Sequence, residues 1–344
     1  MLEVENETAK PHVAIMPSPG MGHITPLLEI AKRLAVLHDF HVSFIVIATN
    51  EVSAGQDNLL RSSTLPPGLD VVYLPTVDVF AVTTDGMPVA ARLSVIVEEA
   101  IKSLKSVLVE LGKIRAVVID LFCTQVFDIC SELSIPAYLF FTASVALLTF
   151  FSVKNRKIDE YKWYLFHSSR FHLGAGIFLN SWEDLEPANF KAITEDPFFK
   201  RIHTPPVHPV GPLIKQEEPL TASDADYLAW LDKQPPNSVL FVSLGSGGTL
   251  TAEQLTELAW GLELSHQRFI FVVQEIGIAI KPAAEPGSSL VGREEVERVA
   301  RLVILEGKDT RKKIRELKDS AARTMEIDGS SYDSLACLAK EWKS

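Results

Sequence analysis

Cysteine is scarce in this chain. Cys123, Cys130 and Cys337 are the three present in 344 residues, at spacings that form neither a disulfide framework nor a thiolate metal motif. That excludes a disulfide-stapled secreted domain and suits a reducing compartment. Basic charge is short too. Lys and Arg total 33 against 44 Asp and Glu, for a formal charge of -11 and a pI near 5.4. The clustered cations that nucleic acid or an anionic membrane surface rewards are therefore not supplied. No apolar run reaches the length of a membrane span, and the opening "MLEVENETAK" is acidic where a secretory signal would be basic. A cytoplasmic protein with a small or neutral ligand is expected. Internal repeats and low-complexity tracts are absent as well.

What is present is ample apolar content, 47%, in a chain long enough for two domains with separate cores. Apolar, β-branched-rich runs at 13–18, 41–49, 69–77, 116–122 and 136–144 alternate with segments of helical spacing, among them Thr25 to Leu37 and Val89 to Leu111. Continuous apolar strands separated by helices predict a parallel sheet covered on both faces, a doubly wound α/β domain. A strand at 174–182 precedes the proline-rich "HTPPVHPVGPLIKQEEP" at 203–219, which reads as a stiff linker. The expected domains are 1–215 and 216–344. The second opens with a helix at 224–234, a strand at 238–248, a helix at 251–265 and a strand at 268–273.

The stretch "HVAIMPSPGMGHITPLLEIAKRL" (12–34) places one ionisable side chain, His23, where a strand hands over to a helix. Ligands of open parallel sheets sit outside the carboxyl ends of the strands. Gly20 and Gly22 permit a sharp turn there. The turn lacks the third glycine of a dinucleotide fingerprint, and no acidic residue ends the next strand, so NAD binding is poorly supported. Asp120 closes the apolar strand "AVVIDLF", whose end opens onto the same crevice. A carboxylate on one imidazole nitrogen would orient the ring and make the other nitrogen a general base. The alternative is structural: His23 as a satisfied core group or cap, and Asp120 as the cap of a helix at 124–133.

The stretches 12–34, "VVIDLF", "GIFLNSWEDLEP", "HPVGPL", "WLDKQPPNSVLFVSLGSGGTLTAEQLTELAWGLE" and "LVGREEVERVAR" resemble the plant family 1 UDP-glycosyltransferases, most closely the hydroquinone (phenol) glucosyltransferases. The resemblance covers nearly the whole chain. It implies a fold of two facing Rossmann-like domains (GT-B), the acceptor bound by the first and the UDP-sugar mostly by the second. The co-substrate is then a UDP-sugar, with no other cofactor and no metal. The residue matching His23 would deprotonate a phenolic acceptor hydroxyl, supported by the one matching Asp120, and the oxygen would displace UDP with inversion. The resemblance further implies donor contacts at Gly22, Gly245, Ser246 and Gly247, and acceptor contacts at Ser18, Phe122 and Thr142. A monomer is expected.

The chain departs from the family in the second half. The Trp-Ala-Pro-Gln, His-Cys-Gly-Trp-Asn-Ser and acidic-Gln strings that hold uracil, diphosphate and sugar do not occur. The break follows "RFIFVV", and a smaller one follows "ALLTFFS". The 71 residues after Val273 (274 to 344) are mostly charged helix, so the second sheet has two or three strands where such a half has about five or six. A truncated second domain is expected. The product would be an impaired glucosyltransferase, or a non-catalytic chain that binds aromatic acceptors or interferes with a full-length relative.

Overall fold

The computed structural model describes residues 10–51, 56, 59–60, 65–144, 160–197, 204–215, 222–244, 250–272 and 291–344. The chain divides into two compact units, Met1–Gln216 with Asp319–Ser344, and Glu217–Lys318. The expected second domain ran to residue 344. Residues 319–344 instead belong to the first unit, because the apolar face of the last helix completes that unit's core.

In the first unit the order is β1 (His12–Met16), α1 (Met21–Leu37), β2 (His41–Val46), β3 (Leu69–Tyr73), α2 (Val79–Val82), α3 (Val89–Ala100), α4 (Leu104–Glu110), β4 (Ile114–Asp120), α5 (Val126–Glu132), β5 (Ala137–Phe141), α6 (Glu160–Arg170), β6 (Gly176–Leu179), α7 (Pro187–Glu195) and β7 (Val207–Pro209). All seven strands are parallel, in the order β3-β2-β1-β4-β5-β6-β7. Side chains alternate across the sheet with period two. Ala14, Met16, Val117 and Ile119 face one core with Ile96, Val97, Val126 and Phe127, while Val13, Ile15, Ala116 and Val118 face the other with Ile24, Leu27 and Leu28. Burial on both faces explains why these strands read as unbroken apolar runs.

β7 corrects the expectation that 203–219 serves as a stiff linker alone. It adds to the edge of the sheet, pairing Val207 with Ile177 and Pro209 with Leu179. An edge strand tolerates proline, since only one of its sides must donate.

The second unit holds α8 (Ala222–Leu231), β8 (Val239–Ser243), α9 (Ala252–Leu264), β9 (Arg268–Val272) and α10 (Arg293–Arg301). β8 and β9 form a two-stranded parallel sheet, the only sheet among this unit's described residues. α9 and α10 pack closely: a Cβ on Gly261 would come within 2.4 Å of Val296 Cβ. Arg293 pairs with Glu257, through its backbone N–H at 2.8 Å and its Nε at 3.0 Å. Leu262 and Ala300 are the only apolar side chains of this unit found buried among the described residues, whereas Phe241 on β8 is 68% exposed. Among the described residues this unit has no core of the kind that closes the first.

α11 (Lys308–Met325) carries the chain out of the second unit, and α12 (Ser330–Lys343) ends it. Leu335, Leu338, Ala339 and Trp342 of α12 are buried in the core that faces α1. Trp342 stacks on Phe178 at 5.9 Å and meets Tyr138 edge-on at 5.1 Å. Ser331 Oγ donates to the Gly211 carbonyl at 2.7 Å, and Ser320 Oγ donates to Asp184 Oδ2 at 2.6 Å.

Candidate active site

Strand order reverses between β1 and β4, so the connections leaving these two neighbours diverge and open a crevice at their carboxyl ends. His23 follows β1 and Asp120 ends β4, one on each side of that point. Gly20, with φ of 112°, sits in a region that side chains rarely adopt, and its carbonyl accepts the N–H groups of His23 and Ile24 at 3.0 Å each. The turn starts α1 at Met21, earlier than the expected Thr25, and places His23 in its first turn.

The structure brings the two residues together. His23 Nδ1–H donates to Asp120 Oδ2 at 2.8 Å, and a carboxylate that can only accept fixes this tautomer. Nε2 is thereby left with its lone pair, on a side chain that stays 21% exposed. Asp120 is fully buried, where an unpartnered charge would be costly. Its other oxygen, Oδ1, accepts the Phe122 N–H at 3.0 Å. This is a local turn and not the helix cap considered above, because α5 begins only at Val126. Burial pulls the imidazole of His23 down, but the charge of Asp120 and its hydrogen bond outweigh that, so His23 titrates above its ordinary value. Cys123 is no rival nucleophile, since burial and then the Asp120 charge push its thiol well up.

Phe122 is buried, and its ring meets that of His23 edge-on at 5.5 Å. Ser18, just past β1, is fully buried, and its hydroxyl has no hydrogen-bond partner among the described residues. Thr142 is half-buried just beyond β5, the neighbour of β4. Gly22 is exposed in the first turn of α1. Gly245, Ser246 and Gly247 lie outside the described residues, as do the two expected break points.

Two features were not foreseen from sequence. The side-chain amide of Gln125, in the loop after β4, is buried with neither its oxygen nor its nitrogen partnered among the described residues. His167 of α6 is buried with both ring nitrogens at 2.8 Å from hydroxyls, Nε2 from Ser94 Oγ and Nδ1 from Thr124 Oγ1. The available signal was one polar residue on the inward face of "EYKWYLFHSSR", whose partners lie 43 and 73 residues away in the chain.

Among the described residues no group of three or more His, Cys, Asp or Glu could hold a metal ion, and no helix is long and apolar enough to cross a membrane.

No family model matches the chain. It is 31% identical to UDP-glycosyltransferase 72B1 of Arabidopsis thaliana over 474 aligned positions that take in 98% of this chain and 97% of that protein. Since 474 positions face a chain of 344 residues, at least 130 positions inside the matched span have no counterpart here. It is 35% identical to the hydroquinone glucosyltransferase of Rauvolfia serpentina over 77% of this chain and 63% of that protein, so here it spans less than two thirds of the relative. Among solved structures, Phytolacca americana UGT2 complexed with UDP-2fluoro-glucose and pterostilbene matches with a TM-score of 0.81 and 30% identity, covering 97% of this chain and 100% of that one. These likenesses set the fold class as α/β of the GT-B type, built from Rossmann-like domains. The chain belongs to the plant UDP-glycosyltransferases, whose co-substrate is a UDP-sugar, and by family it is a glucosyltransferase.

Proposed function

We propose that the first unit binds a phenolic acceptor with its hydroxyl against His23 Nε2, and that the chain descends from an inverting UDP-glucose:phenol glucosyltransferase whose donor grip it has lost. The observation that carries the acceptor half is the 2.8 Å contact between His23 Nδ1 and Asp120 Oδ2 at the strand-order reversal.

A phenol near pKa 10 is almost wholly protonated at neutral pH, so a base must take the proton as the new bond forms. His23 Nε2 takes it, and the oxygen attacks the anomeric carbon from the face opposite UDP. The bond from that carbon to the diphosphate oxygen breaks with inversion. The resulting imidazolium is stabilised by Asp120 and later returns its proton to water. Ser18, Phe122 and Thr142 line the acceptor's place. The unpartnered hydroxyl of Ser18 is suited to a second polar group, because a buried group without a partner costs about 1 to 3 kcal/mol. Donor contacts at Gly22 and at Gly245 to Gly247 complete the reading. Three free cysteines suit the reducing cytosol.

The loss of donor grip is supported by the two-stranded sheet and the scarcity of buried apolar groups among this unit's described residues, and by the interior positions left unmatched. On this reading UDP-glucose binds no better than the millimolar range, about 4 kcal/mol at the 1 M standard state. Calorimetry with UDP-glucose and with hydroquinone, beside a chromatographic assay for the glucoside, tests both halves. Saturable hydroquinone binding with only trace product is expected. A micromolar dissociation constant for UDP-glucose would overturn the lost grip, and glucoside formation unchanged in His23→Ala would remove His23 from the chemistry.

A further inference from the structure

Resting on that reading of the dyad, we propose that His167 is its positioning residue: a neutral imidazole locked as the Nε2–H tautomer, which fixes Phe122 and, through the Phe122 amide, the Asp120 carboxylate.

The tautomer follows from counting protons. Ser94 Oγ has one hydrogen and gives it to the Ala90 carbonyl, which can only accept, at 2.6 Å. Ser94 Oγ must then accept from His167, so Nε2 carries the proton. In the neutral ring Nδ1 is then the acceptor and Thr124 Oγ1 its donor. Every polar atom of the imidazole is thus used once, with its proton placed. The ring is stacked on Trp163 at 6.1 Å.

From this locked position His167 reaches the dyad by two routes. Its ring meets Phe122 edge-on at 5.6 Å, on a residue that also meets His23, so Phe122 stands between two imidazoles. Its bond to Thr124 ties down the loop after β4, and Arg170 Nε fastens the same loop by donating to the Thr124 carbonyl at 3.2 Å. The loop carries the Phe122 N–H that holds Asp120 Oδ1. A loosened loop would free the carboxylate to turn away from His23. The charged groups that act on His167 are Asp120 and, on its own helix, Arg170, which is paired with Asp128 at 2.7 Å. Neutrality of His167 spares His23 a second positive charge near Asp120.

Nitrogen-15 histidine NMR on the intact chain tests this without any transfer reaction or ligand, so a failure to glucosylate leaves the test standing, and a failure here leaves the general-base reading standing. In the unaltered chain His167 should show the Nε2–H pattern. In Ser94→Ala and in His167→Asn the titration midpoint of His23 should fall by about 0.5 to 1 pH unit as Asp120 loses its fixed aim. A merely structural residue would shift the melting temperature and leave that midpoint alone. Should His167→Asn fail to fold, Ser94→Ala decides by itself. An Nδ1–H pattern at His167, or an unmoved His23 midpoint in a folded Ser94→Ala chain, overturns the proposal.

Discussion

At the scale of single residues, two imidazoles of one unit, His23 half-buried and His167 buried, respond to acid in opposite directions. Asp120 outweighs burial at His23 and raises it. In Asp120→Asn the acceptor oxygen is kept and the charge is lost, so only the smaller hydrogen-bond effect still opposes burial and the His23 midpoint should fall below the ordinary value of about 6.5. An NMR titration that still finds it raised would mean another group supplies the charge. At His167 burial dominates and pushes the midpoint down to about 4, with Asp120 opposing and Arg170 adding to the fall. A raised imidazole stabilises the fold fully below about 6.5 and loses that contribution as pH climbs through its folded value. A depressed one does the reverse: as pH drops from about 6.5 to about 4 the unfolded chain takes up a proton that the folded one refuses. His167 should therefore cost the fold up to about 3 kcal/mol by the lower limit of that window. Denaturant melts at pH 7, 5.5 and 4.5 should show this slope, and His167→Asn should flatten it. His23 and Asp120 were legible in the sequence because one opens the helix that follows a recognisable strand and the other ends a recognisable strand, which fixes their location in an open sheet. His167 was not, because its hydroxyl partners are set by how α6 packs against α3 and the loop after β4, which no local pattern records.

At the scale of elements, Gly261 shows how packing overrides helix propensity. Alanine inside a helix is better than glycine by about 1 kcal/mol. A Cβ there would lie 2.4 Å from Val296 Cβ and 2.7 Å from the Arg293 carbonyl oxygen, closer than atoms can approach, and that oxygen belongs to backbone that cannot step aside. Gly261→Ala should therefore destabilise the packing of α9 on α10 by about 1 to 3 kcal/mol despite the better propensity. Faster amide exchange in α10 would report it, and unchanged exchange would show that the helices have room to part. The alternation of strands and helices was legible from hydrophobic runs, but boundaries moved where backbone geometry intervened. The single helix expected at 89–111 breaks around Ile101–Ser103 into α3 and α4. β7 was hidden by Pro209 and the prolines that flank the strand, which read as linker unless its place at the sheet edge is known.

At the scale of the whole molecule, the two units should differ in how long their amides resist exchange. Strands β1, β4 and β5 are buried from end to end or nearly so, whereas β8 is at no point fully buried. Exchange of β8 amides should be faster than that of β4 amides by orders of magnitude, since local opening follows buried apolar contact. Equal protection would mean the second unit has a stable packing. In the first unit Trp342→Ala should cost about 3 to 5 kcal/mol, because its ring lies against Phe178, Tyr138 and Phe40. A loss under 1 kcal/mol by denaturant melt would place α12 outside the cooperative core.

Because α12 supplies part of that core, the first unit is written in two instalments, with about 100 residues of the second unit made between them. At about 5 to 20 residues per second, the ribosome leaves the sheet face around Phe40, Tyr138 and Phe178 waiting some 5 to 20 s for its last helix. The nascent chain thus spends that interval with an aromatic surface uncovered, and it is in this interval that a chaperone or a premature stop codon would decide its fate.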